Sequence, residues 1–157
     1  MNRILLVFSA LMLSLAQAGA QEWQQFGIQR FGFVFEVPPE FELLHRSEDG
    51  DGAAFHSPDG ALLAVWGTDV AEGDFLPQVK KQISRDEKEG WKFTYRRLTR
   101  EWASYSGIKD DQIRYVRGIT VCGNRAAMFL MDYSRDQKVA YDPVVTRMVR
   151  SLKPEDC

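Results

Sequence analysis

Phe31-Gly32-Phe33-Val34-Phe35-Glu36-Val37-Pro38-Pro39 is the stretch from which the fold is read. Phe31, Phe33, Phe35 and Val37 recur at every second position, the spacing of one face of a β-strand. Pro38-Pro39 closes that strand, because proline has no N–H to give to a ladder. Outward from it, residues 41–47 and 52–57 flank Glu48-Asp49-Gly50-Asp51 as the two arms of a hairpin. Ser57-Pro58-Asp59-Gly60 has proline at the second turn position and glycine at the fourth, a type I turn signature. The apolar run 61–70 follows it. Residues 31–70 are thereby predicted to be a meander of four strands.

A helix comes next. Asp74 is a suitable N-cap, and Pro77 is tolerated in the first turn. Leu76, Val79 and Ile83 form an apolar stripe at spacings of three and four, while Lys80, Lys81, Arg85 and Lys88 are expected to face water. Gly90 is the stop. Strands resume at 91–99, 101–106, 112–122 and 125–134, the last two joined by a turn at Gly123-Asn124. The closing helix is expected to start at Asp142, with Pro143 at its first position and Val145, Val149 and Leu152 facing inward. This order is that of an α+β fold: an antiparallel sheet of about six to eight strands packed against two main helices.

Three motifs carry a family resemblance. Gly32-Phe33-x-Phe35-x-Val37-Pro38 resembles the first strand of PsbP-like proteins, the family of the extrinsic photosystem II subunit and its bacterial secreted relatives. Gly52-x-x-Phe55-x-Ser57-Pro58-Asp59-Gly60-x-x-Leu63-x-Val65-x-Gly67 is similar to the second hairpin of those relatives, and Tyr141-Asp142-Pro143-x-Val145-x-x-Met148-x-x-Ser151-Leu152 to their closing helix. The resemblance implies a PsbP-like α/β sandwich and an accessory, adaptor or chaperone-like role in protein binding. It brings no shared catalytic set with it.

The 157 residues are 45% hydrophobic and 27% charged, which excludes a disordered tail, a collagen-like repeat and a disulfide-dense miniprotein. Residues 1–20 order a positive start at Arg3, an apolar run from Ile4 to Leu15 and the small residues Ala16-Gln17-Ala18-Gly19-Ala20. That is the order of a secretory signal peptide, with cleavage expected after Ala20 or Ala18. The run is about twelve residues, short of the roughly 20 that span a bilayer. No cysteine lies near the cut, so a lipoprotein anchor is excluded. Residues 21–157 are then a single secreted or periplasmic domain, expected to be a monomer that does not span a membrane. In an oxidising compartment Cys122 and Cys157 are expected to pair, with a free or reactive thiol as the alternative. The bridge would close a loop of about 36 residues.

Charge is segregated along the chain. Residues 21–75 carry two basic against eleven acidic side chains, and residues 76–157 carry seventeen basic against eleven acidic. Lys80, Lys81, Arg85, Lys88, Arg96 and Arg97 are the candidate binding residues, a basic face for an acidic protein or anionic surface if helix and strand lie side by side. The other reading is that folding interleaves the two halves into ordinary solvated pairs. The overall charge of −2 gives no support for nucleic-acid binding.

Chemistry-bearing patterns are sparse. With a hairpin loop at 49–52, His45 would face His56 directly, close enough to share a metal ion, though zinc needs one or two further ligands. An EF-hand frame over 47–58 fails, since Pro58 stands where a bidentate glutamate is required. No nucleophile elbow, phosphate loop or dinucleotide fingerprint is present. Trp23 and Phe26 either cover the sheet edge or form an exposed patch. The expected function is non-catalytic binding of another macromolecule, without a cofactor. The alternative is a carrier holding a small apolar ligand or metal between sheet and helix, and a hydrolase is the remote third.

Overall fold

The computed structural model describes residues 22–155 and 157, so the segment read as a signal peptide lies outside the described residues. The chain runs β1 (Gln24–Ile28), β2 (Phe33–Val37), β3 (Glu42–Arg46), β4 (Gly52–His56), β5 (Leu62–Asp69), α1 (Phe75–Lys88), β6 (Lys92–Leu98), β7 (Trp102–Lys109), β8 (Gln112–Val121), β9 (Arg125–Ser134), α2 (Lys138–Ser151) and β10 (Lys153–Pro154). Seven strands form one antiparallel sheet in the order β3-β4-β5-β9-β8-β7-β6, and β1-β2-β10 form a second.

The long pair β8–β9 is the spine, matched residue for residue from Gln112↔Ser134 to Val121↔Arg125. β9 buries apolar side chains on both faces, so the sheet must be covered twice. On the inner face, Leu63, Val65, Ala127, Phe129 and Met131 pack against the small sheet and α2. On the outer face, Tyr105, Val116, Ala126 and Met128 pack against Phe75, Val79 and Ile83 of α1. Aromatic contacts join the inner layers: Phe35 lies 5.2 Å from Phe129, and Phe26 meets Phe55 edge-on at 5.5 Å. Trp23 is partly buried against this core, so it and Phe26 cover the sheet.

The four-strand meander does not form. β2 belongs to the small sheet, and β3, β4 and β5 to the large one. Pro38 and Pro39 interrupt pairing, and Glu40 adopts a positive φ of 70° that turns the chain from one layer to the other. Phe31 sits in the turn before β2 and drives its ring onto Gly67 of β5, where a Cβ would lie 2.2 Å from that ring. The closing helix starts four residues before Asp142. A 3₁₀ turn, Arg135–Gln137, is set by a capping box between Ser134 and Gln137 and feeds α2 at Lys138. Pro143 is therefore interior. The bond it cannot make would reach back to Val139, a residue 85% exposed, leaving that carbonyl to water. The inward positions are Tyr141, Val145, Met148 and Leu152, with Val149 only partly buried.

Two polar arrangements close the fold. Cys122 and Cys157 form a disulfide, and the Glu155 N–H donates to the Gly32 carbonyl at 2.9 Å. Gly32 is required there: its φ is +67°, and a Cβ would lie 2.6 Å from the Cys122 sulfur. At the other end of α2, the Tyr141 hydroxyl reaches both oxygens of Asp59 at 2.7 and 2.8 Å, and the Ser57 hydroxyl donates to the same carboxylate. The Ala61 N–H donates to Ser57 Oγ at 3.0 Å, so the turn and the helix share one hub. Burial raises the Asp59 pKa, but the hydrogen bonds from Ser57 and Tyr141 outweigh it and hold the carboxyl below its ordinary 3.8.

Removing both cysteines as Cys122→Ser with Cys157→Ser should cost about 3–4 kcal/mol, read as a lower urea midpoint. Gly67→Ala overpacks against Phe31 and should cost roughly 1–3 kcal/mol or more by the same assay. The depressed Asp59 pKa stabilises the fold above its unfolded value and is lost as pH falls through the folded value. Asp59→Asn should therefore lower the urea midpoint at pH 7, with the difference from the unaltered protein closing below about pH 4. A difference that does not change with pH would remove that carboxylate from the hub's energetics.

Candidate functional site

α1 turns Phe75, Val79, Ile83 and Asp86 to the sheet, a spacing of four, four and three that leaves Lys80, Lys81, Arg85 and Lys88 on the exposed side. Asp86 is the anchor. It is 3% exposed, accepts from Gln82 Nε2 at 2.9 Å, and lies 3.4 Å from Arg114 Nη1. Arg114 in turn holds Asp132 through two hydrogen bonds of 2.8 and 2.7 Å and stacks on Trp91 at 4.2 Å. Burial raises the Asp86 pKa against the pull of Arg114. The helix is thereby fixed in rotation by one buried carboxylate beside an arginine that a second carboxylate already holds.

The six predicted basic residues do not form one face. Lys80, Lys81, Arg85 and Lys88 stay together on α1, with no carboxylate oxygen within 4 Å among the described residues. Arg96 stands on the α1 side of β6, where it is neutralised by Glu87. Arg97 pairs with Ser104 on the opposite side of the sheet, because successive strand residues alternate faces. Folding also interleaves part of the segregated charge: Arg147 holds Glu36 at 2.8 and 3.1 Å.

His45 and His56 are not opposed. His45 pairs with Ala54 and His56 with Glu42, with a register shift between Leu43 and His45. The reason is the turn. Gly52 donates its N–H to Ser47 Oγ at 2.9 Å and accepts from the Ser47 N–H at 3.0 Å, which closes the loop one residue earlier than expected. Among the described residues no group of three or more His, Cys, Asp or Glu side chains could hold a metal ion.

A groove of about 530 Å³ lies between α2 and the inner face of the large sheet. Ile113, Tyr115 and Tyr133 line its floor, and Val145, Val149 and Arg150 its helical wall. Beyond it the inner face of β6 is uncovered, with Lys92, Tyr95 and Arg97 exposed. Register aligns Arg97, Ser104 and Arg117 in one inward row and Tyr95, Ser106 and Tyr115 in the next. Arg117 donates to Ser104 Oγ at 3.0 Å and stacks on Trp102 at 4.6 Å. Sequence reasoning missed this row. Its one linear signal is β7, where Trp102, Ser104 and Ser106 alternate with the fully buried Ala103 and Tyr105, polar side chains at positions that should face a core. A second crevice of about 430 Å³, beside Trp23 and Glu36, has its central cation Arg147 already committed to Glu36 and stacked on Trp23 at 4.3 Å.

No helix among the described residues is long and apolar enough to cross a membrane. By sequence, no family model and no curated protein matches the chain. By structure it is similar to the solution structure of cyanobacterial PsbP from Synechocystis sp. PCC 6803, with a TM-score of 0.65 over 91% of this chain and 98% of that one. Identity over the match is 11%, so the likeness carries the fold and no residue role. With an antiparallel sheet covered on its two faces by α1 and by α2 with the small sheet, the chain has the PsbP-like fold.

Proposed function

We propose that this is a non-catalytic accessory protein of the periplasm or another extracytoplasmic compartment that binds an acidic macromolecule through the exposed side of α1. The observation that carries the reading is the set Lys80, Lys81, Arg85 and Lys88, exposed together on a helix whose rotation Asp86 fixes. Un-neutralised surface cations raise the encounter rate with an acidic partner, and a rigid support lowers the ordering cost of docking. Arg85 and Lys88 also stand in the last turn, where the helix dipole favours positive charge. The disulfide and the PsbP-like fold support the compartment. The carboxyls with displaced pKa values, Glu36, Asp59 and Asp86, are each engaged in holding a helix, which supports a binding role over a hydrolytic one.

The groove beside α2 favours a second reading, a carrier of a small apolar molecule, because its floor and wall are largely apolar and its size suits such a ligand.

Charge reversal separates the first reading from its rivals. Lys80→Glu with Lys81→Glu and Arg85→Glu should elute from an immobilised polyglutamate column at markedly lower salt than the unaltered protein. The triple variant should also fail to capture the acidic partner that the unaltered protein retains from an extract of its own compartment. Its melting temperature should move by no more than about 2 °C, since the three side chains lie outside the core. Equal retention and equal capture would overturn the α1 docking face.

A further inference from the structure

Arg117 differs from the arginines that the fold pairs with carboxylates. Arg114 has Asp132 and Asp86, Arg147 has Glu36, and Arg96 has Glu87. Arg117 is half-buried and has no carboxylate within 4 Å among the described residues. Its Nε is buried without a hydrogen-bond partner, and its only acceptor among the described residues is the neutral Ser104 hydroxyl. Burial pulls its pKa down, and the phenols of Tyr115 and Tyr95 pull it only partly back. A cation held this way carries a desolvation cost that the Trp102 ring and the Ser104 hydroxyl offset only in part.

Its position gives the cost a use. Arg117 and Tyr115 are two residues apart on β8, so their side chains share the inner face and their Cα atoms lie about 7 Å apart. Tyr115 lines the groove beside α2, and Arg117 stands one strand step beyond that lining. The Arg117 guanidinium is positioned by Trp102 on one side and by Ser104 at Nη1. Arg97, across Ser104 in the same row, and Arg150, on the groove wall, add positive potential with no acid paired to either. Lys138 at the far end is neutralised by Asp142 at 2.7 Å. One end of the groove is thus cationic, and its length is apolar.

We infer that this groove binds a small organic anion, with its carboxylate-type head on Arg117 and its apolar body against Ile113, Val145 and Val149. An anion at the guanidinium supplies the counter-charge that the protein omits, in charge-assisted hydrogen bonds roughly twice as strong as neutral ones. The inference rests on the carrier reading of the groove and adds a head group to it.

The test is isothermal titration of the mature, disulfide-bonded protein with octanoate, octanol and inorganic phosphate. Octanoate should bind saturably, octanol at least tenfold more weakly, and phosphate should not displace octanoate at equal concentration. Arg117→Gln should weaken octanoate at least tenfold while leaving octanol unchanged. Octanoate and octanol binding equally would leave the groove a carrier and overturn the anion site. Binding of neither would overturn the carrier reading together with it. Phosphate competing as well as octanoate would overturn the apolar half, and unchanged octanoate affinity in folded Arg117→Gln would overturn the role of that residue. The comparison of octanoate with octanol uses the unaltered protein, so it decides the question even where the variant does not fold.

Discussion

Strand β9 is apolar on both faces, and the rest of the architecture follows from covering it. Ala127, Phe129, Met131 and Tyr133 face one way, and Ala126 and Met128 the other, all buried. A strand of this kind is stable only with a layer on each side. The chain supplies one cover from the middle of its sequence, α1, and the other from its two ends, the β1–β2–β10 sheet with α2. Closing the second cover joins residues far apart in sequence, such as Glu36 with Arg147, 111 positions away, and Phe35 with Phe129, 94 positions away. The disulfide and the Ser57–Asp59–Tyr141 hub stand at the places where that late cover would otherwise come loose.

The two covers are unequal, and the candidate sites are consequences of that inequality. α1 is a single helix on the outer face, and its own outer side must be solvated. Lys80, Lys81, Arg85 and Lys88 occupy that side, while Asp86 holds the helix from beneath through Arg114. On the inner face the small sheet and α2 leave β6 and the near part of β7 open. The groove and the Arg117 row lie along that margin, where a strand passes from core to solvent. A half-covered guanidinium there is more withdrawn from water than a surface arginine, and unlike Arg114 it has no acid beside it.

Local pattern reached far into this fold. Phe33, Phe35 and Val37 on one strand, the Ser57–Gly60 turn, Val79 and Ile83 on the inner side of α1 and the pairing of Cys122 with Cys157 stand in the structure as read. Phe31 falls in the turn before β2, and Phe75 takes the buried place expected of Leu76. The misplacements have specific causes. Pro143 invited a helix start because proline favours the first turn, but the capping box at Ser134 and Gln137 had already begun the turn upstream. His45 and His56 looked opposed because hairpin register depends on where the turn closes, and the Ser47 hydroxyl closes the loop one residue earlier while the strand bulges at Leu44. Arg96 and Arg97 looked like one cluster because adjacency in sequence hides that strand neighbours point to opposite faces.

By itself, the amino-acid sequence determined most of the elements though not β1 or β10, the α+β class and the solvent side of α1, since these rest on propensity and periodicity within a few residues. A count of two cysteines named the disulfide partners. Only the tertiary structure decided that β2 leaves its neighbours β3–β5 for another sheet, that Phe31 meets Gly67, and that Arg97, Ser104 and Arg117 share a row. These are pairings between distant segments, chosen by how two apolar faces and a strand register are satisfied together. The same pairings decide which arginines find a carboxylate and leave Arg117 without one.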